Sequence, residues 1–237
     1  MTQSTPRTVR ERVRIELTTE IKDVARRHLA DQGSSALSLR AVARELGMVS
    51  SAVYRYFPSR DDLLTALIVD AYDAIGEVAE ASERTALAHR CGTVARWQAL
   101  AGDIRTWATA HPQEYALIYG TPIPGYQAPQ DTIDPATRVS FVMMRIMIDG
   151  VASGEISTDD TARIPRPVHA DFAILRDLAL HDVPDGVISR GLLMWTQLFG
   201  TISFELFGHF HNVIHDYDAF FELQTRRAGE YLVAGEA

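Results

Sequence analysis

"LGMVSSAVYRYFPSRDDLL", residues 46–64, decides how this chain is read. Three small side chains, Ser50, Ser51 and Ala52, stand in a row. Tyr54 and Tyr56 then flank Arg55, and Pro58 and Ser59 precede Arg60 and the acidic pair Asp61 and Asp62. Gly47 supplies the positive φ of a tight turn. Pro58 ends one helix, and Ser59 with two aspartates behind it starts the next. Upstream, Ser38 caps a short helix carrying Leu39, Val42, Ala43 and Leu46, and Ala43 is small where two helices must pack closely. The pattern predicts a helix-turn-helix whose second helix runs from Val49 to Phe57, with Val42, Leu46, Met48 and Val53 turned inward. A plain helical hairpin would also explain Ala43 and Gly47. It would not explain a helix that shows Ser-Ser-Ala and then Tyr-Arg-Tyr to the outside.

Small residues at the start of such a helix let the backbone approach base edges, where hydroxyls donate or accept and a methyl meets thymine. Tyr54, Arg55, Tyr56 and Arg60 offer phenolic or cationic donors to phosphates. With Ser-Ser-Ala in place of Arg, Asn or Gln, few bidentate base contacts are available. Arg40 is then the candidate for a guanine contact, and a grip on phosphate alone is the equal alternative.

The totals place this segment in context. The chain has 237 residues, 46% of them hydrophobic, and a formal net charge of −8. The charge is uneven: residues 1–60 hold 11 Lys and Arg against 6 Asp and Glu, the remainder 12 against 25. A basic first quarter on an acidic body predicts that one end meets a polyanion. The single cysteine, Cys91, excludes an internal disulfide and suits a reducing compartment. Residues 1–16 have no apolar run of the kind a secretory signal needs. The greasiest stretch, 191–210, is interrupted by Gln197 and Glu205, so no membrane span is predicted and the reading is cytoplasmic, associated with the nucleoid. His209, His211 and His215 lack the Cys or carboxylate pattern that would complete a metal site, and no cofactor is predicted. Nucleotide-binding, metalloprotease and nucleophile-elbow motifs are missing, which argues against an enzyme.

Helical periodicity runs through the chain, and no alternating strand stands out. Leu17, Ile21, Val24, Ala25 and Leu29 predict a first helix closed by Gly33, and Leu63 to Ala79 form the stripe of a long fourth one. Further helices are expected near 93–110, 112–120, 134–153, 168–181, 185–210 and 216–234. The expected fold is all-α: an N-terminal three-helix helix-turn-helix DNA-binding domain over 1–58, and an α-helical bundle for ligand binding and dimerisation over 59–237. Arg7, Arg10, Arg12 and Arg14 precede the first helix on this reading. They form either an arm that enters the minor groove or a solubilising tail.

The string Gly47, Tyr54, Phe57, Pro58, Ser59, Arg60, preceded by Ala43, Leu46 and Gly47, resembles the N-terminal domain of TetR-type transcriptional repressors across residues 12–80. The resemblance implies a homodimer that places one helix per protomer in a major groove of a pseudo-palindromic double-stranded operator. It also implies an inducer in the C-terminal bundle that changes the spacing of the two heads. By position, Ser38 and Arg40 would touch phosphate or base, Ser50, Ser51 and Ala52 would read bases, Tyr54 and Tyr56 would hold the backbone, and Arg60 would take a phosphate. Val49 departs from the pattern where a capping Ser or Thr is usual. Arg26 and His28 replace apolar residues of the first helix.

Residues 105–126 and 192–209 resemble the C-terminal domain of a TetR subset named for a Trp-His-Gly signature, with Trp195 and Gly200 kept and Phe199 in the histidine position. The helix over 185–210 is apolar nearly all round and needs cover on two sides. Gly200 within it costs roughly 1 kcal/mol of helix propensity, which a closely approaching second helix would offset. A two-fold interface formed by 168–181 and 185–210 is therefore expected, with Leu175, Leu178, Leu192, Trp195, Phe199, Gly200, Ile202 and Phe207 as candidates. A wholly intramolecular central helix is the alternative. Trp107, Tyr115, Tyr119, Phe141, Met143, Met144, Met147, Trp195 and Phe199 are candidates to line a pocket for a small hydrophobic effector. Each of them alone could equally be core. Control by a protein partner, or loss of effector sensing, stays open beside the effector reading.

Overall fold

The computed structural model describes residues 8–33, 37–159 and 163–235. Ten α-helices and no strand are found among them. They divide into two compact units, one made of residues up to Ala71 together with Gln113–Thr132, the other of Tyr72–Pro112 and Ile133 onward.

In the first unit, α1 (Val9–Gln32) starts at a reciprocal cap: the Thr8 hydroxyl accepts from the Glu11 N–H, and the Glu11 carboxylate accepts from the Thr8 N–H at 2.8 Å. It ends at Gly33, whose φ of 76° is left-handed. Two short helices follow, α2 (Leu39–Glu45) and α3 (Ser50–Val53). Helix α4 (Arg60–Ala88) begins where the Ser59 hydroxyl accepts from the Asp62 N–H at 3.1 Å. Ile21, Val24 and Ala25 of α1, Leu39, Val42 and Ala43 of α2, Val53 and Phe57, and Leu63, Leu64 and Leu67 of α4 form its buried core. Helix α6 (Pro112–Tyr119) and the 120–132 segment complete the unit, and Thr65 shares a hydrogen bond with Tyr126 at 2.9 Å.

In the second unit, the remainder of α4 is joined by α5 (Thr93–Ala110), α7 (Ile133–Ser153), α8 (Arg166–Leu178), α9 (Asp185–Leu206) and α10 (Tyr217–Ala234). Trp97, Leu100, Ala101 and Ile104 of α5 are buried, and the Trp97 indole donates to the Thr225 carbonyl of α10 at 2.8 Å. Arg138 of α7 crosses α4, donating to Glu80 at 2.8 and 3.0 Å and to Asp73 at 2.7 Å. Gly76 makes room for it, because a Cβ there would fall 2.8 Å from the guanidinium. Glu155 accepts from the Thr93 N–H at 2.6 Å and so closes the start of α5. The buried Arg190 of α9 donates to the Leu232 carbonyl at the end of α10 and to the Ser157 carbonyl.

Several element bounds differ from the sequence reading. Arg10, Arg12 and Arg14 lie inside α1, because the Thr8–Glu11 cap starts the helix ahead of them, and Arg7 lies outside the described residues. The α-helical part of α3 is four residues long. Beyond it, Arg55 and Tyr56 donate to Ala52 and Val53, three residues back, so the last turn tightens on its way to Pro58. Helices α8 and α9 end at Leu178 and Leu206 rather than near 181 and 210.

Candidate nucleic-acid interface and bundle pockets

The turn between α2 and α3 is fixed by backbone geometry. Gly47 takes φ 65°, and the Met48 N–H donates to the Ala43 carbonyl at 2.8 Å. Val53 and Phe57 anchor α3 inward, which leaves Ser51, Tyr54 and Arg55 exposed and Ser50, Ala52 and Tyr56 half-buried. Arg40 is exposed on α2, with Ser38 just ahead of it. Ser38 and Val49 stand before their helices without making a side-chain capping bond. Tyr56 is met by Arg14 of α1, whose guanidinium lies 5.7 Å from the ring centre.

The cations of this unit fall into two sets. Lys22 and Arg26 pair with Asp70 at 2.7 and 2.5 Å, Arg27 and His28 with Glu45 at 2.7 Å, and Arg60 with Asp61 at 3.2 Å. Bonds from Arg27 and His28 hold the Glu45 carboxyl below its ordinary range. Arg26 and His28, unexpected in an apolar helix face, are thereby accounted for as tethers of α1. The second set, Arg10, Arg12, Arg14, Arg40, Arg44 and Arg55, has no acidic partner among the described residues. These six belong to the tip of α1 and to the helix-turn-helix.

In the second unit, a cavity of about 150 Å³ lies among α7, α8 and α9. Met143, Met144 and Met147 of α7 meet Trp195, Ile188 and Leu192 of α9 there, with Leu175 and Leu180 beside them. Gly191 of α9 also lines it, and a Cβ at that position would strike the Met147 sulfur. A wider groove of about 530 Å³ runs between α4 and α5, lined by Trp107, His111, Ser82, Thr85, His89 and Cys91, with Trp107 stacked on His111 at 5.5 Å. The predicted pocket residues are thus separated. Four of them, Met143, Met144, Met147 and Trp195, share one cavity, while Trp107 lines the other groove. Phe199 packs on Trp195 at 4.8 Å, Phe141 is exposed, and Tyr115 and Tyr119 belong to the first unit, 5.2 Å apart.

Helices α8 and α9 show an apolar face. Leu178, Leu192 and Phe207 are exposed, as are Ile174 at 70%, Leu193 and Phe204, which are not among the expected interface residues. Gly200 lies on α9 with nothing within 4 Å of where a Cβ would be. Phe199 and Ile202 are instead buried within their own unit, Ile202 completely, because they lie on the side of α9 that faces the bundle. Leu175 and Trp195 are half-buried at the cavity. Among the described residues no group of His, Cys, Asp and Glu is arranged to hold a metal ion, and no helix is long and apolar enough to cross a membrane.

Comparison with known proteins agrees with this geometry. Residues 21–67 match the family described as bacterial regulatory proteins, tetR family, and residues 97–228 match the tetracyclin repressor-like C-terminal domain. The chain is 41% identical over 225 residues to the HTH-type transcriptional regulator Rv1816 of Mycobacterium tuberculosis and to Mb1846 of Mycobacterium bovis, covering 92% of this chain and of each relative. The crystal structure of the regulatory protein SCO4313 superposes with a TM-score of 0.74 at 36% identity, covering 94% of this chain and 98% of that one. A Rhodococcus sp. RHA1 protein of unknown function shares the fold, with a TM-score of 0.66 at 22% identity.

Proposed function

Because the chain belongs to the TetR family of helix-turn-helix transcriptional regulators, we propose that it is a homodimeric repressor released from its operator by a small hydrophobic molecule. One observation carries the DNA half of this reading: in a protein of net charge −8, residues 1–60 hold 11 Lys and Arg against 6 Asp and Glu, and the arginines of α2, of the segment after α3 and of the tip of α1 have no acidic partner among the described residues. Ser50, Ser51 and Ala52 face base edges, Tyr54, Arg55 and Tyr56 hold phosphates beside them, Arg40 reaches a base from α2, and Ser38 and Arg60 add backbone contacts. Two such heads in a dimer fit half-sites about 34–36 Å apart, which makes the operator pseudo-palindromic.

The exposed face of α8 and α9 supports the dimer, with Gly200 letting a partner helix approach. The methionine-lined cavity supports the effector. At its present volume it is smaller than the roughly 300–1,000 Å³ of most ligand sites. Met147 leans on the bare backbone of Gly191 and is flexible, so rotation of that one side chain enlarges the space. An effector acts by linkage: it must bind better to the arrangement whose heads do not match the operator.

The test is electrophoretic mobility of the chain's own upstream DNA, with and without an extract of hydrophobic metabolites. The expected result is a shifted band that the extract releases in the wild type, and that Met147→Trp, which fills the cavity, keeps shifted. No shift at any low salt concentration overturns the DNA reading. Equal release of wild type and Met147→Trp overturns the cavity as effector site.

A further inference from the structure

Val49 is 71% exposed, more than any other large apolar side chain among the described residues. It sits between the Gly47 turn and α3 with extended backbone, φ −70° and ψ 140°, and its side chain makes no capping bond. Had the helix begun one turn earlier, Val49 would share the inward face of Val53, four residues on. The extended backbone swings it out instead. The fold gains little from it there. A Ser or Thr at the same place would accept a backbone N–H and add about 1 kcal/mol to the helix, whereas an apolar side chain in water contributes nothing.

Its neighbours decide what it meets. Ser50 and Ser51 follow directly, and the residues at the start of a recognition helix are those that reach base edges. The major groove offers one apolar group, the C5-methyl of thymine, and offers it only at A·T pairs. A β-branched side chain is stiff at χ1, so little rotamer freedom is lost when it makes that contact. We propose that Val49 reads a thymine methyl in each half-site, fixing a T that the small hydroxyls of Ser50 and Ser51 do not specify. The inference rests on the DNA-binding reading above and adds the base class to it.

The test uses the full chain and a duplex recovered by in vitro selection from a random-sequence library. Each dT is replaced in turn by dU, which lacks only the methyl, in both half-sites, and binding is followed by fluorescence anisotropy. One position per half-site is expected to weaken binding about three- to fourfold, the effect of one methyl group removed from contact. Val49→Ser should bind dT and dU alike at that position. Because serine caps α3, the variant should keep or raise its melting temperature, which separates readout from folding. A wild type indifferent to every dT-to-dU exchange overturns the inference, and so does a Val49→Ser protein that keeps the wild-type dT/dU ratio. Recovery of no duplex from the library at low salt is a different failure. It removes the DNA-binding premise, and the inference with it.

Discussion

Arg40 and Arg27 are both exposed arginines of the first unit, yet their surroundings give them different work. Arg27 is held by Glu45 at 2.7 Å and ties α1 to α2. Arg40, five residues before Glu45 on α2, has no acidic partner among the described residues. Arg40→Ala should therefore leave folding nearly unchanged and weaken the selected operator by about 1–3 kcal/mol, roughly tenfold or more, beyond any loss on random DNA. Anisotropy at one salt concentration checks this, and equal losses on both DNAs would show that Arg40 holds phosphate only. At this scale the sequence was legible where backbone geometry is forced: Gly47 adopts the left-handed turn and Ser59 caps α4 as read. It was not legible for Val49, because exposure at an extended position depends on where the preceding turn points. Nor could sequence separate paired from unpaired arginines, since Asp70 lies 44 residues from Arg26 and Glu45 lies 18 from Arg27.

Among elements, spacing read best where one face alone is apolar. Helix α5 spans Thr93–Ala110 as the periodicity predicted, and α7 differs by one residue. The start of α1 was missed although its signal is present: Thr8-Val9-Arg10-Glu11 is a capping box, overlooked because the arginines beside it suggested an arm. Helix α9 was legible as apolar on both sides but not as to which side each residue takes, so Ile202 and Phe199 turned inward while Leu193 and Phe204 turned out. Periodicity names a face; it does not name what covers it. The ion pairs that join helices make a further prediction. Bonds from Arg138 lower the Glu80 pKa, and bonds from the Thr93 backbone and side chain lower that of Glu155, both from an ordinary 4.5. A depressed folded-state pKa contributes stability that is complete above the unfolded value and is lost as pH falls through the folded one. Melting temperature should thus hold steady down to about pH 5 and drop below 4.5. Glu80→Gln with Glu155→Gln should melt lower at neutral pH and fall less on acidification. Circular dichroism melts across that range check it, and parallel curves for both proteins would count against the pairs.

For the whole molecule, the exposed face of α8 and α9 makes the strongest demand. Leu193→Glu replaces a side chain 53% exposed on that face, so helicity should persist while sedimentation shows a monomer and operator affinity falls toward that of a single half-site. Gly200→Ala sets two effects against each other. It should add about 1 kcal/mol of helix propensity to the protomer, where the new methyl meets nothing, and weaken the proposed dimer if the proposed partner helix packs there. Urea unfolding at low and high protein concentration separates the two. A variant that is more stable and still fully dimeric would place the interface elsewhere.

The bond from Trp97 to Thr225 spans 128 residues of sequence. The ribosome therefore makes α5 long before the helix that covers it. While α6 to α9 are being synthesised, Trp97, Leu100 and Ile104 have no α10 to pack against, and Arg190 has no Leu232 carbonyl to hold. Closure of the second unit is consequently a late event, during which an apolar helix waits uncovered and open to chaperones or to other nascent chains. A stop codon just before Tyr217 would then remove more than one helix: it would leave that waiting state permanent, and the shortened product should aggregate rather than fold as a smaller bundle.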